Sequence, residues 1–176
     1  MKMKTLAAAA AILAAGCSTA QAEKPENLND LQIAHVAYTA DNIDIRYAHL
    51  ALAISQNPKI HEFARTMIRD HTAVNEKALA LLKKLNANPQ DNFLSQQLNA
   101  NAEKLVTEMS QLRGAAFDKR YASNELAYHQ AVNGLVANAF IPNIENAEVK
   151  SLFKVGLGIF KEHERHAEMM VKAVTE

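Results

Sequence analysis

Four long segments with an apolar residue every third or fourth position constrain this chain most. They run from about Asp30 to Ser55, Pro58 to Leu85, Ala115 to Ala139 and Asn146 to Val174. Such spacing places the apolar side chains on one face of an α-helix. Breakers separate the segments: Asn57 and Pro58, then the cluster from Asn86 to Asn92, Arg113 and Gly114, and Pro142 and Asn143. Asn caps a helix, and Pro is tolerated in a first turn, where its missing N–H has no partner anyway. A shorter segment, about Leu94 to Leu112, carries Leu98, Ala102, Leu105 and Met109 on one face. Short loops between long helices make neighbours antiparallel. The expected fold is all-α: an up-down antiparallel four-helix bundle with one additional shorter helix. Only five glycines and four prolines among 176 residues agree with that.

Residues 1–22 read as a signal peptide. Met1 to Lys4 is cationic, and Thr5 to Gly16 is apolar but too short to span a bilayer well. Leu13, Ala14, Ala15, Gly16 and Cys17 resemble a bacterial lipobox, which makes Cys17 a candidate lipidation site. Ala20-Gln21-Ala22 offers an ordinary cleavage point after Ala22 instead. Ser18 resembles an outer-membrane sorting context. The expected location is the periplasm, with a lipid anchor in the outer membrane; the alternative is a soluble periplasmic or secreted protein. Cys17 is the only cysteine, so no intrachain disulfide forms. Residues 23–29 read as a tether and 30–176 as the helical domain. The formal charge of zero argues against nucleic acid as a partner.

Along the helices, a few polar residues fall on apolar faces. Asp44 projects among Ile33, Ala37, Ala48 and Ala51. His71 sits mid-stripe in the second segment; Glu125 falls inside the stripe of the Ala115–Ala139 segment with His129 on its edge, and His163 lies at the centre of the last. His35 and His49 fall on the opposite, solvated face of their helix. Asp44, His71, His129 and His163 each lie about fourteen to sixteen residues into their helices, so antiparallel packing brings them to one level. Carboxylates and imidazoles on facing helices are how bundles build sites for zinc, iron, manganese or copper. The same side chains could also satisfy one another, or Tyr38, Tyr47, Tyr121 and Tyr128, as a hydrogen-bonded network that fixes register. An Asp buried among alanines costs several kcal/mol unless paired. A di-iron ferritin centre needs Glu-x-x-His on two helices. None occurs here, which favours a mononuclear site or none and argues against an oxidase.

Phe63, Ala64, Met67, Asp70, His71 and Asn75, then Gly114, Phe117, Asp118, Tyr121 and His129, and finally His163 resemble the DUF4142 family. The resemblance covers about Asp30 to Val174. It implies a ferritin-like helical bundle in the bacterial envelope, and no particular reaction. Family members often carry Glu at the place of Asp44 and an apolar residue, commonly Met, at the place of Glu125. Three functions are compatible with these features. The first is a non-enzymatic binding or envelope-maintenance module. The second is a mononuclear metal-binding protein using Asp44, His71, His129 and His163, with Glu125 as a spare carboxylate. The third is a module whose exposed helix faces bind a protein partner.

Overall fold

The computed structural model describes residues 23–175. The expectations for the signal peptide, Cys17 and the Ala22 cleavage point lie outside these residues. A 3₁₀ turn (Pro25–Asn27) leads into α1 (Asp30–Ile54), α2 (Pro58–Lys84), α3 (Phe93–Ser110) and α4 (Gly114–Leu135). A π-helical turn (Val136–Phe140), the single-turn α5 (Ile141–Asn143) and α6 (Ala147–Thr175) follow. No strand occurs among the described residues, and none of their helices is long and apolar enough to cross a membrane.

The helix starts are written in asparagine. Asn29 accepts from the N–H groups of Leu31 and Gln32, while the Gln32 side chain accepts from the Asn29 N–H. Asn92 and Ser95 form the same reciprocal box at α3. Asn57 accepts from Lys59 N–H, with Pro58 in the first turn of α2. Asn146 accepts from Glu148 and Val149. The π-helical turn has a local cause as well. Pro142 offers no N–H to continue the i→i−4 ladder, and Ile141 N–H instead reaches Val136 O, five residues back. The sequence pattern runs one helix through to Ala139; the observed α-helical ladder stops at Leu135.

α1 packs on α2, α2 on α6, α6 on α4, and α4 on α1, closing a ring of four. Cross-links at the helix ends set direction. Asp30 accepts from the N–H groups of Glu145 and Asn146, so α1 and α6 start at the same end. Lys84, at the end of α2, pairs with Glu148 at that end too. At the far end Ser55 Oγ donates to Asp118 Oδ1 at 2.6 Å, joining the finish of α1 to the start of α4. Every neighbour in the ring is therefore antiparallel, as expected. α3 lies outside it, against α1 and α4. Residues 23–29, read as a tether, end in a buried Leu28 that joins one of the two apolar clusters.

Candidate metal centre

Between the two apolar clusters each helix of the ring contributes polar side chains. α1 supplies Asp41 and Asp44, α2 supplies Asp70 and His71, α4 supplies Glu125 and His129, and α6 supplies His163. Asp44 and Glu125 are fully buried, and His71, His129 and His163 are at most 4 % exposed. All five residues expected from the sequence therefore meet. The ring centroids of the three histidines lie 5.3–5.9 Å apart. One ligand atom from each histidine falls within 4.8 Å of the others. Asp44, Glu125 and His129 form a second set with the same property.

Each histidine has one ring nitrogen held from outside the layer. His71 Nδ1 donates to Asp41 Oδ1 at 2.7 Å. His129 Nδ1 donates to the Glu125 carbonyl at 2.9 Å, one turn back on its own helix. His163 Nε2 donates to Asp70 Oδ2 at 3.0 Å. A carboxylate and a carbonyl only accept, so the nitrogen facing each carries the hydrogen. The other nitrogens of His129 (Nε2) and His163 (Nδ1) are buried without a hydrogen-bond partner, as are both oxygens of Glu125. The second nitrogen of His71, Nε2, forms a buried ion pair with Asp44 Oδ2 at 2.5 Å; the same oxygen stands 3.7 Å from His129 Nε2. Phe160 stacks on His71 with centroids 4.6 Å apart, which fixes the ring plane.

Burial sets the charges, modified by neighbours. For His71 burial opposes protonation, but Asp44 and the bond to Asp41 outweigh it and push the imidazole up to about 10. Burial alone would raise the Asp44 carboxyl; the adjacent His71 charge overrides it and holds Asp44 well below the usual carboxylate range. Burial pushes His163 down to about 4, against the Asp70 bond that favours its charge. Burial lowers His129 as well. It raises Glu125 far above the ordinary range, and the neighbouring Asp44 charge reinforces it. At neutral pH the layer thus holds one imidazolium against Asp44 and two neutral imidazoles, beside a Glu125 carboxyl whose ionisation burial disfavours.

Three further residues contribute; Asp41 was not singled out from the sequence, and Asp70 and Asn75 entered only through the family resemblance. Asp41 precedes Asp44 by three residues, a spacing that puts both on one helix face. Asp70 lies on the margin of the α2 stripe. It reaches across to His163 and is gripped on its solvent side by Arg69 at 2.6 Å and 3.0 Å. Asn75, one turn after His71, is buried with Oδ1 unpartnered. Of the histidines set aside, His49 is exposed, while His35 is half-buried and 3.6 Å from Asp91.

No curated protein and no solved structure matches the chain. A family model, described as a domain of unknown function, matches residues 15–170, nearly the whole chain. With its all-helical bundle and this match, the protein belongs to the DUF4142 family.

Proposed function

We propose that the bundle is a non-enzymatic binding protein whose ligand is one divalent transition-metal ion. Its ligands are His71, His129, His163 and Asp44. The observation that carries this is the paired state of the three imidazoles. Each has one nitrogen oriented by an acceptor that faces away from the other rings; the second is unpartnered in His129 and His163, and in His71 it meets only the Asp44 carboxylate, itself a candidate ligand. Metal-binding histidines are held in this way: the outer hydrogen bond fixes the tautomer and ring plane and raises the basicity of the free nitrogen. A network built only to satisfy itself pairs its atoms; this one leaves His129 Nε2, His163 Nδ1 and both Glu125 oxygens unpartnered in the core.

One ion fits better than two. Both ligand sets run through His129, and His129 has a single free nitrogen because the other donates to a backbone carbonyl. Three imidazoles and one carboxylate suit zinc, and iron, manganese and copper also accept these donors. Binding there displaces the Nε2 proton of His71, since a ligating imidazole is neutral on that nitrogen. Glu125 is a spare carboxyl beside the set. Bound metal would contribute charge neutralisation for Asp41 and Asp44 and a rigid tie between four helices.

Metal analysis of protein purified without a histidine tag tests this, followed by cobalt titration read by absorbance. The expected result is near-stoichiometric metal and a cobalt ligand-field spectrum, both lost in a His71→Ala, His163→Ala double variant. Protein that stays metal-free and takes up no cobalt, with the double variant merely melting earlier, would make the layer a structural network around ordered water.

The leader supports a location outside the cytoplasm, with Cys17 as the lipid-bearing residue. Fractionation of a Cys17→Ala variant tests the anchor. It should move from the membrane fraction to the soluble periplasm, and an unchanged distribution would point to cleavage after Ala22.

A further inference from the structure

Beside the polar layer the bundle has a second feature. A cavity of about 50 Å³ lies among α1, α2, α4 and α6, with Leu98 of α3 also on its wall. One water requires roughly 10–15 Å³ on this measure, so the space takes about four water-sized groups. Its walls are almost wholly apolar, including Val36, Val132, Leu152 and Phe153. Three polar side chains reach them: Tyr38, Asp41 and Asn75. The wall also includes Val136 and Phe140, from the π-helical turn. Turns of this kind inside α-helices occur often at functional sites.

Asn75 is the informative residue. It is 7 % exposed, and its Oδ1 is buried without a partner. An unsatisfied buried amide costs about 1–3 kcal/mol. A purely structural interior would place Leu or Ala at this point in the α2 stripe. Asp41 is likewise an acceptor, with one oxygen already committed to His71. Two acceptors at an otherwise apolar wall call for a molecule that is mostly hydrocarbon and carries a hydrogen-bond donor.

We infer that this cavity is a binding site for a small, mainly apolar molecule bearing a hydroxyl group, a short-chain alcohol of about four heavy atoms, recognised through Asn75. The inference goes beyond the metal centre and does not depend on an ion being bound. Asp41 joins the two, because it lines the cavity and also orients His71. An occupant therefore sits against the carboxylate that sets the His71 ring.

1-Propanol and 1-chloropropane, which match in size and differ in the hydroxyl, are the probes, with binding read from the methyl NMR resonances of Val36, Val132 and Leu152 in metal-free protein. 1-Propanol should shift these signals saturably, with 1-chloropropane binding at least several-fold more weakly. Two separate variants fill the space. In Gly156→Leu the new Cβ meets only the Phe160 ring, at 3.6 Å; Ala78→Phe enters from α2 at a half-buried position. Either one, if folded by circular dichroism, should abolish the 1-propanol shifts. Asn75→Leu should weaken 1-propanol at least five-fold and leave 1-chloropropane unchanged. The inference is overturned by an absence of saturable shifts with 1-propanol, by shifts that persist in a folded cavity-filled variant, or by equal affinity for the two probes.

Discussion

The same four helices build two apolar clusters and, between them, a polar layer. One cluster gathers Ile43, Tyr47, Ile60, Met67, Phe117 and Tyr121 toward the end where α1 finishes. The other gathers Ile33, Val36, Val136, Phe140 and Val149 toward the end where it starts. In the clusters, burial is favourable by about 25 cal/mol per Å² of apolar surface, with no partner required. In the layer, every buried nitrogen and oxygen has lost water and needs a replacement. Several have none within the protein. The clusters hold the bundle together; the layer is tolerated by it. These are the polar groups on which the proposed metal site rests.

Substitutions can set the two regions against each other. The largest effect is expected for His71→Ala, which leaves Asp41 and Asp44 buried without their shared cation. Removing one member of a buried ion pair costs about 3–5 kcal/mol, read from the denaturation midpoint, and metal uptake should go with it. Met109→Ala, in the first cluster on α3, should cost about 2–5 kcal/mol through the cavity it opens. Unlike His71→Ala it should leave metal stoichiometry intact; a variant that also lost its metal would show that the regions are not separable.

The pH dependence of the metal-free protein comes next in size. The folded pKa of His71, about 10, lies above its ordinary value of 6.5. Its contribution is complete below pH 6.5 and disappears as pH rises toward 10. His163 has the opposite sign. Its folded pKa, about 4, lies below 6.5, so the unfolded chain takes up the proton first and stability falls as pH drops from 6.5 to 4. His129 acts in the same direction. Thermal melts from pH 4 to 10 should therefore peak between these limbs. His163→Gln should flatten the acid side and His71→Gln the alkaline side; limbs unmoved by either change would assign the profile to other groups.

A smaller gain is expected from Glu125→Met. It replaces a carboxyl whose ionisation burial disfavours, with both oxygens unpartnered, by an apolar chain of similar length. Relief of that penalty should raise stability by about 1–3 kcal/mol, seen as a higher Tm. A lower Tm would mean that Glu125 is bonded in solution. Least of all should follow from Arg46→Ala, which breaks the exposed 2.8 Å pair with Glu103. Surface pairs of this kind contribute about 0–1 kcal/mol, so urea denaturation should barely move.

Much of this was legible in the residues. Helical periodicity places Asp44, His71, Glu125, His129 and His163 inward, and all five are buried. Asp41 and Asp70 were harder because they sit at stripe margins. There, a few degrees of helix rotation decide whether a side chain meets solvent or the next helix. Asp70 does both, touching Arg69 outside and His163 inside. The end of α4 shows a similar limit. Periodicity does not distinguish an α-helical turn from a π-helical one, and the shift at Val136 depends on which carbonyl Ile141 N–H finds beside a Pro142 that has no N–H of its own.

Sequence by itself determined the elements and their inward faces, because apolar spacing, asparagine caps and proline breaks act within a few residues of one another. Tertiary structure alone decided which nitrogen of each histidine is occupied. That choice depends on an acceptor from another helix for His71 and His163, and on a rotamer set by the packed core for His129. It also decided that Asn75 borders a cavity rather than a partner, since a void is the space that four packed helices fail to fill and belongs to none of them singly.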